Sequence, residues 1–284
     1  MRQSSSAALL CALASPAVRS ALPQPVLRAA EQLGALQLPL AAGGIGGAAL
    51  RNAILSSGIF REAMLAAGTS PSPQGDVKSA LLALRQSLVS WIGKQQPAAA
   101  IAVAAPPVRG APPRARAADI APIDPTSPPD EVGRQVLERT ESSLARIRLQ
   151  QHSSLPDSLA SGKAEWNLEV PVLIGLHQTS MQIQITRDQE NSVQADQERG
   201  WQLRFAINLP KLGEVGAQVS LHGGATGVML WAAEDETRQL MEQEMESLRE
   251  QLQAAGLQPG SIILRQGVPT SPLLPSGHLL DSVS

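Results

Sequence analysis

The chain has 284 residues, of which 43% are hydrophobic but only 2% aromatic, and it contains 23 Gly, 22 Pro and no Tyr. Because the apolar residues are mainly Ala and Leu, we expect a modest core carried by part of the chain. The formal net charge is −2 and no basic stripe is present, which excludes nucleic acid as an expected partner. Arg109, Arg114 and Arg116 lie among prolines and are interpreted as solubilising charges of a linker.

Cysteine content and hydropathy exclude further kinds of structure. Cys11 is alone, so no internal disulfide and no Cys-x-x-Cys metal site can form. No run of 18 apolar residues occurs, so we predict no membrane insertion. The stretch after Arg2 faintly resembles a secretory signal peptide. Residues 1–45 are low in complexity and are predicted to be a disordered, export-signal-like region, in which 26–38 could be helical.

Two helices are predicted in a small helical segment over residues 46–95. Apolar residues at helical spacing indicate one helix over 48–67, interrupted at Gly58. A second helix is predicted over 76–92, with Asp76 as its N-cap. Residues 96–130 are rich in Pro and Ala and predict an extended, disordered linker, because proline removes a backbone donor and fixes φ. Helical periodicity returns in 131–156.

The last third of the chain changes character and predicts a C-terminal domain over residues 163–266. Alternation of apolar and polar residues predicts strands, and one long helix is expected over 235–255. The fold class is therefore α+β, with a mostly antiparallel sheet packed against that helix. Residues 267–284 lack periodicity and are predicted to be a disordered tail. The predicted strands lie at 166–170, 181–185, 201–209, 215–221, 228–231 and 262–264.

No pattern of catalytic or cofactor-binding residues is present, and we expect neither an enzyme nor a cofactor or metal site. The four His are scattered, and the acidic run 234–236 is explained by the favourable position of carboxylates at a helix N-terminus. Met241 and Met245 are predicted to lie in the core. The same role is predicted for three tryptophans, Trp166, Trp201 and Trp231.

One connection stands out, the segment Leu209-Pro210-Lys211-Leu212-Gly213 between two predicted strands. The residues alone favour a tight structural turn. Together with the residues C-terminal to them, however, they resemble the C-terminal domain of bacterial flagellar hook-length control proteins. The resemblance rests on Pro-x-Leu-Gly at 210–213, succeeded in order by Val215–Leu221, Val228–Glu234, Thr237, Leu240, Leu248-Arg249, Leu252 and Ala255–Leu257. Shorter segments at 56–62, 76–82, 146–152 and 154–156 resemble the same family.

The resemblance implies a function in flagellum assembly. Such proteins are exported through the flagellar type III apparatus, sense hook length, and then engage the cytoplasmic domain of the export-gate protein. Export thereby switches from hook to filament subunits. The implied partners are this domain and the hook and hook-cap subunits. The chain is expected in the cytoplasm before export, then secreted and associated with the flagellum. The implied partner-binding residues are Leu209, Pro210, Leu212 and Gly213.

Two alternatives remain open at this stage. A regulator of injectisome needle length would share the switch domain, and a cytoplasmic scaffold would have two small modules joined by the Pro-rich linker. Export predicts the intact protein in the culture medium, whereas a scaffold stays in the cell. The first 160 residues could span roughly 530 Å when fully extended at about 3.3 Å each, and helices shorten that reach. Both a length ruler and a switch without a ruler are compatible with this length.

Overall fold

The computed structural model describes residues 4–41, 44–68, 75–93, 111–115, 122–124, 126–155, 163–188, 200–222 and 225–267. The helices of this described part are α1 (Ser6–Ala14), α2 (Pro16–Ala21), α3 (Gln24–Gly34), α4 (Gly47–Leu55), α5 (Arg61–Ala66), α6 (Val77–Ile92), α7 (Pro129–Ser153), α8 (Asp235–Gln243) and α9 (Met245–Ala254). The strands are β1 (Leu38–Pro39), β2 (Lys163–Ile174), β3 (His177–Asp188), β4 (Trp201–Leu209), β5 (Gly213–His222), β6 (Ala225–Ala232) and β7 (Gln258–Gln266).

The N-terminal region is folded over residues 6–34, where composition predicted disorder within 1–45 and a helix at 26–38 alone. Helix α3 confirms that helix as far as Gly34, whereas α1 and α2 were not predicted. Three helices form there. Pro16 and Pro25 do not prevent α2 and α3, because they stand in the first turns, where a missing N–H breaks no helical hydrogen bond. The Ser5 side chain caps α1 by accepting a hydrogen bond from the Ala7 N–H at 3.2 Å. Leu9 and Leu13 are buried, so the prolines and serines separate the helices without preventing their packing.

The central helices agree with the prediction, with one exception. Helix α6 is confirmed together with its cap, since the Ser79 N–H donates to Asp76 Oδ1 at 2.9 Å. The helix predicted within 131–156 is confirmed as α7, which begins two residues earlier, at Pro129, and ends at Ser153. The single helix predicted over 48–67 is instead two helices, α4 and α5. Gly58 lies between them with φ +93°, and a Cβ there would be 2.8 Å from Lys78 Cβ.

A helical core joins the N-terminal helices to the middle of the chain. It is formed by apolar side chains of α1–α3, α6 and α7, supplemented by Ile123. Its fully buried members include Leu9, Val26, Leu33, Leu81, Leu84, Leu88 and Val136. Of the predicted linker, 96–110, 116–121 and 125 lie outside the described residues.

A seven-stranded sheet has its strands in chain order from β1 to β7. Strands β2 to β6 are antiparallel neighbours, while β1 and β7 pair parallel to β2 and β6 at the two edges. Helices α8 and α9 make the crossover from β6 to β7. The α+β class with a mostly antiparallel sheet is thus confirmed.

The crossover differs from the predicted helix over 235–255 in one respect. It is divided at Glu244, whose φ of −92° and ψ of 2° interrupt the helix. Apolar spacing continues across the break, so periodicity could not reveal it. The predicted tail after Gly267 lies outside the described residues.

The two faces of the sheet have different chemistry. Apolar side chains on one face of β2 to β5 form a sheet core with Leu38, Ile59 and α4. The opposite, polar face carries Glu169, Gln182, Gln184 and Arg204, and helices α1 and α7 contact β2. The predicted C-terminal domain is therefore packed against the helical region that precedes it.

Candidate interaction site

The Pro-x-Leu-Gly segment forms the tight turn of the β4–β5 hairpin. Leu209 ends β4 and pairs with Gly213, and the Leu212 N–H donates to the Leu209 carbonyl at 3.2 Å. Two left-handed residues close the turn, Lys211 at φ +68° and Gly213 at φ +74°. Such angles are strained for residues with a Cβ and open to glycine, so the turn needs Gly at its last position.

Helix α8 holds this turn in place. The Thr237 hydroxyl, in a buried side chain of α8, donates to the Leu212 carbonyl at 2.8 Å. A Cβ at Gly213 would lie 2.9 Å from Glu234 Cγ, just before α8. The turn is therefore packed against the start of α8 and hydrogen-bonded to it. Within the turn, Leu209 packs against the sheet core, Leu212 is half-buried and Lys211 is exposed.

Helices α8 and α9 present an acidic surface with an incompletely covered apolar stripe. The side chains of Met241 and Met245, which were predicted to be core, are only half-buried, and Leu240 is 52% exposed. The prediction failed because these helices pack mainly against the last two strands, at the sheet edge. Arg238 pairs with Asp235 and Glu242, and its pKa is raised first by its hydrogen bond to Asp235.

The three tryptophans of the sheet lie in different environments, which corrects the prediction that all fill the core. Trp231 is 1% exposed on the polar face, where its ring lies over Gly216. Trp201 is 41% exposed and stacks on Trp166 with ring centroids 6.4 Å apart. Arg187 lies 5.2 Å from the Trp201 ring in a cation–π contact. Trp201 is exposed because it begins β4, beyond the part of the sheet that α4 covers.

One arginine assigned to the linker makes a specific contact. Arg114 Nε lies 3.4 Å from Glu214 Oε1, and the next backbone N–H, of Ala115, donates to the same oxygen at 2.8 Å. Arg114 therefore does more than add solubility. No sequence pattern indicates this pair, because 99 residues separate Ala115 from Glu214.

A buried ion pair fastens the N-terminal helices to the polar face. Arg146 of α7 donates to Glu169 Oε2 at 2.7 Å, and the Ser6 N–H donates to Glu169 Oε1 at 3.0 Å. Burial alone would raise the pKa of the Glu169 carboxyl. The charge of Arg146 and hydrogen bonds from Gln182 and Ser5 outweigh burial, so the pKa is lowered. Glu169 was not identified from sequence, because it occupies an ordinary polar position in an alternating strand.

The described ranges hold neither a cluster of metal ligands nor a helix that could span a membrane. No group of three or more His, Cys, Asp or Glu residues placed to hold a metal ion occurs among them. None of the helices described here combines the length and apolar character needed to cross a bilayer.

A match to a known protein family covers the part of the chain that contains the turn at Leu209–Gly213. Residues 189–272 match the family described as flagellar hook-length control protein FliK. The match covers β4 to β7 with α8 and α9, and includes Leu209, Pro210, Leu212 and Gly213. No curated protein and no solved structure is significantly similar to the chain. The chain therefore carries a flagellar hook-length control domain at its C-terminal end, and this domain supports a role in flagellar hook-length control.

Proposed function

We propose that the chain ends hook growth by switching flagellar type III export from hook to filament subunits, through binding of its C-terminal domain to the cytoplasmic domain of the export-gate protein. The observation that carries the proposal is the family match over residues 189–272, which contains the turn and its supporting helix. The chain would be exported through the same apparatus and would meet hook and hook-cap subunits there.

The turn at Leu209–Gly213 is the contact that we assign to the export gate. A partner can recognise a turn most sharply when its backbone is fixed before binding, because little conformational entropy is then lost. Pro210 restricts φ, Thr237 holds the Leu212 carbonyl, and Gly213 closes the hairpin. These constraints support Pro210 and Leu212 as contact residues, while Leu209 also packs inside the sheet core.

Substitutions in the turn test the proposal. Pro210→Ala, Leu212→Ala and Gly213→Val should leave cells with overlong hooks and few filaments, as seen by electron microscopy of isolated hook–basal bodies. Leu221→Ala is the matched control, because Leu221 lies at the far end of β5 and is also partly exposed.

Circular dichroism separates the two explanations for a defective variant. A folded domain with overlong hooks supports a contact role for the turn. If the variants are unfolded, the turn serves structure alone. Folded variants that give hooks and filaments of normal length would show that these residues do not carry the switch.

A further inference from the structure

Residues 111–115, which we call the strap, lie on the polar face of the sheet. Gln184 Nε2 donates to the Ala111 carbonyl at 3.0 Å, and the Ala115 N–H donates to Glu214 Oε1 at 2.8 Å. The Arg114 side chain pairs with the same carboxylate but remains 44% exposed. The strap is therefore held at both ends on strands β3 and β5.

The strap closes a small cluster inside the family domain. Ala115 packs with Ala206 and Trp231, all three of which are buried, while Met229 is partly buried beside them. The Trp231 indole N–H has no hydrogen-bond acceptor in the described part of the chain. Ile263, on the neighbouring strand β7, remains 47% exposed. If Ala115 moved away, the apolar surface of Ala206, Trp231 and Met229 would be uncovered. That surface contains the Trp231 N–H, which has no acceptor among the described residues.

The surface beneath the strap adjoins the turn assigned to the export gate. Glu214 comes directly after Gly213, and its carbonyl accepts a hydrogen bond from the Ala233 N–H at 2.8 Å. Glu214 therefore links the turn, strand β5 and the residues that lead into α8. A partner seated on the turn would reach this carboxylate, which is 8% exposed while the strap is in place.

We propose that Glu214, Trp231 and Ala206 form a second contact surface of the domain for an extended partner segment that carries an arginine, and that the strap occupies this surface in the free chain. The inference rests on the proposed function, since the partner is the export-gate domain. The strap supplies the chemistry that a partner must reproduce, namely a guanidinium, a backbone N–H and a small apolar side chain. Because these contacts are few, displacement of the strap is reversible. The apparent affinity of the surface for the partner is then the intrinsic affinity multiplied by the fraction of time for which the strap is open.

The experiment compares the wild-type chain with three variants. Arg114→Ala weakens the strap and leaves the surface intact. Arg114→Ala combined with Glu214→Ala removes the carboxylate as well. Arg85→Ala is the matched control, because Arg85 is also 44% exposed and pairs with a glutamate, Glu141, far from the strap. Hydrogen exchange at the Ala115 amide reports strap closure, calorimetry with the purified export-gate domain reports binding, and circular dichroism checks the fold.

We expect a protected Ala115 amide in the wild type and in Arg85→Ala, and exchange roughly tenfold faster in Arg114→Ala, with a similar gain in affinity. The double variant should lose that gain. A fast-exchanging Ala115 amide in the wild type would overturn the strap itself. Unchanged affinity in a released Arg114→Ala variant, or a gain that persists in the double variant, would overturn the second contact surface and leave the proposed function intact. If no form binds the export-gate domain, the proposed partner fails and the inference fails with it, whatever the exchange at Ala115.

Discussion

Gly216 is the position where one added methyl group would disturb the domain most. A Cβ there would lie 2.5 Å from the Phe205 carbonyl and would also overlap the Trp231 ring. Neither neighbour can move easily, because one is backbone and the other is a buried indole. The glycine is therefore required by close approach of the strands and not by an unusual φ.

Replacing Gly216 should destabilise the domain strongly. We expect Gly216→Ala to lower the free energy of unfolding by about 3 kcal/mol, through overpacking. Gly227→Ala is the control on the adjacent strand, because no atom lies within 4 Å of its added Cβ, and its effect should stay below about 1 kcal/mol. Urea unfolding monitored by circular dichroism measures both. Equal stability of the two variants would contradict the packing described around Trp231.

Glu169 makes stability depend on pH. Its folded pKa is lowered, so its contribution is present above the ordinary value of 4.5 and is lost as the pH falls through the folded pKa. Glu169→Gln should reduce this acid dependence. It should also lower the free energy of unfolding at pH 7 by about 3 to 5 kcal/mol, because Arg146 loses its buried partner charge.

Urea midpoints between pH 7 and pH 3 measure this effect. Glu31→Gln is the control, since Glu31 is exposed and pairs with Arg19 at the surface, where such pairs contribute about 0 to 1 kcal/mol. An unchanged pH profile in Glu169→Gln would show that another group governs acid unfolding.

Helix α6 is the element that best tests the helical core. Leu84 is fully buried in that core, whereas Leu82 on the same helix is 39% exposed. Leu84→Ala should therefore lower the free energy of unfolding by about 2 to 5 kcal/mol, and Leu82→Ala by much less. Thermal unfolding of the two variants gives the comparison. Similar losses would mean that α6 does not pack as described.

Elements with a local signal were predictable, and contacts between distant elements were not. The Asp76 cap located the start of α6, and alternation or short apolar runs located the six longer strands, because these signals depend on neighbouring residues. The order within the hairpins was predictable from short connections. Helices α1 and α2 were missed because they pack on α7, far along the chain.

The candidate site likewise has one part that the sequence predicts and another that it does not. The turn at Leu209–Gly213 could be predicted, because Pro and Gly at fixed spacing specify a bend. Its support by Thr237 and the strap contact at Glu214 could not, because side chains distant in sequence make them. The break at Glu244 was also missed, since apolar periodicity continues through it.

At the scale of the whole molecule, α7 connects the helical region to the sheet. Its apolar side chains lie in the helical core, while Arg146 reaches the polar face of the sheet. The N-terminus joins the same contact through Ser5 and Ser6. If the chain is exported in unfolded form, as we propose, the N-terminal helices must first leave Glu169.

The length of hooks on cells that lack this chain tests the central claim most directly. Electron microscopy of hooks from a strain with the coding sequence deleted gives the length distribution, and restoration of the wild-type chain is the control. We predict overlong hooks with few or no filaments in the deletion strain, and normal hooks with filaments after restoration. Hooks of normal length that carry filaments in the deletion strain would contradict a role for this chain in hook-length control.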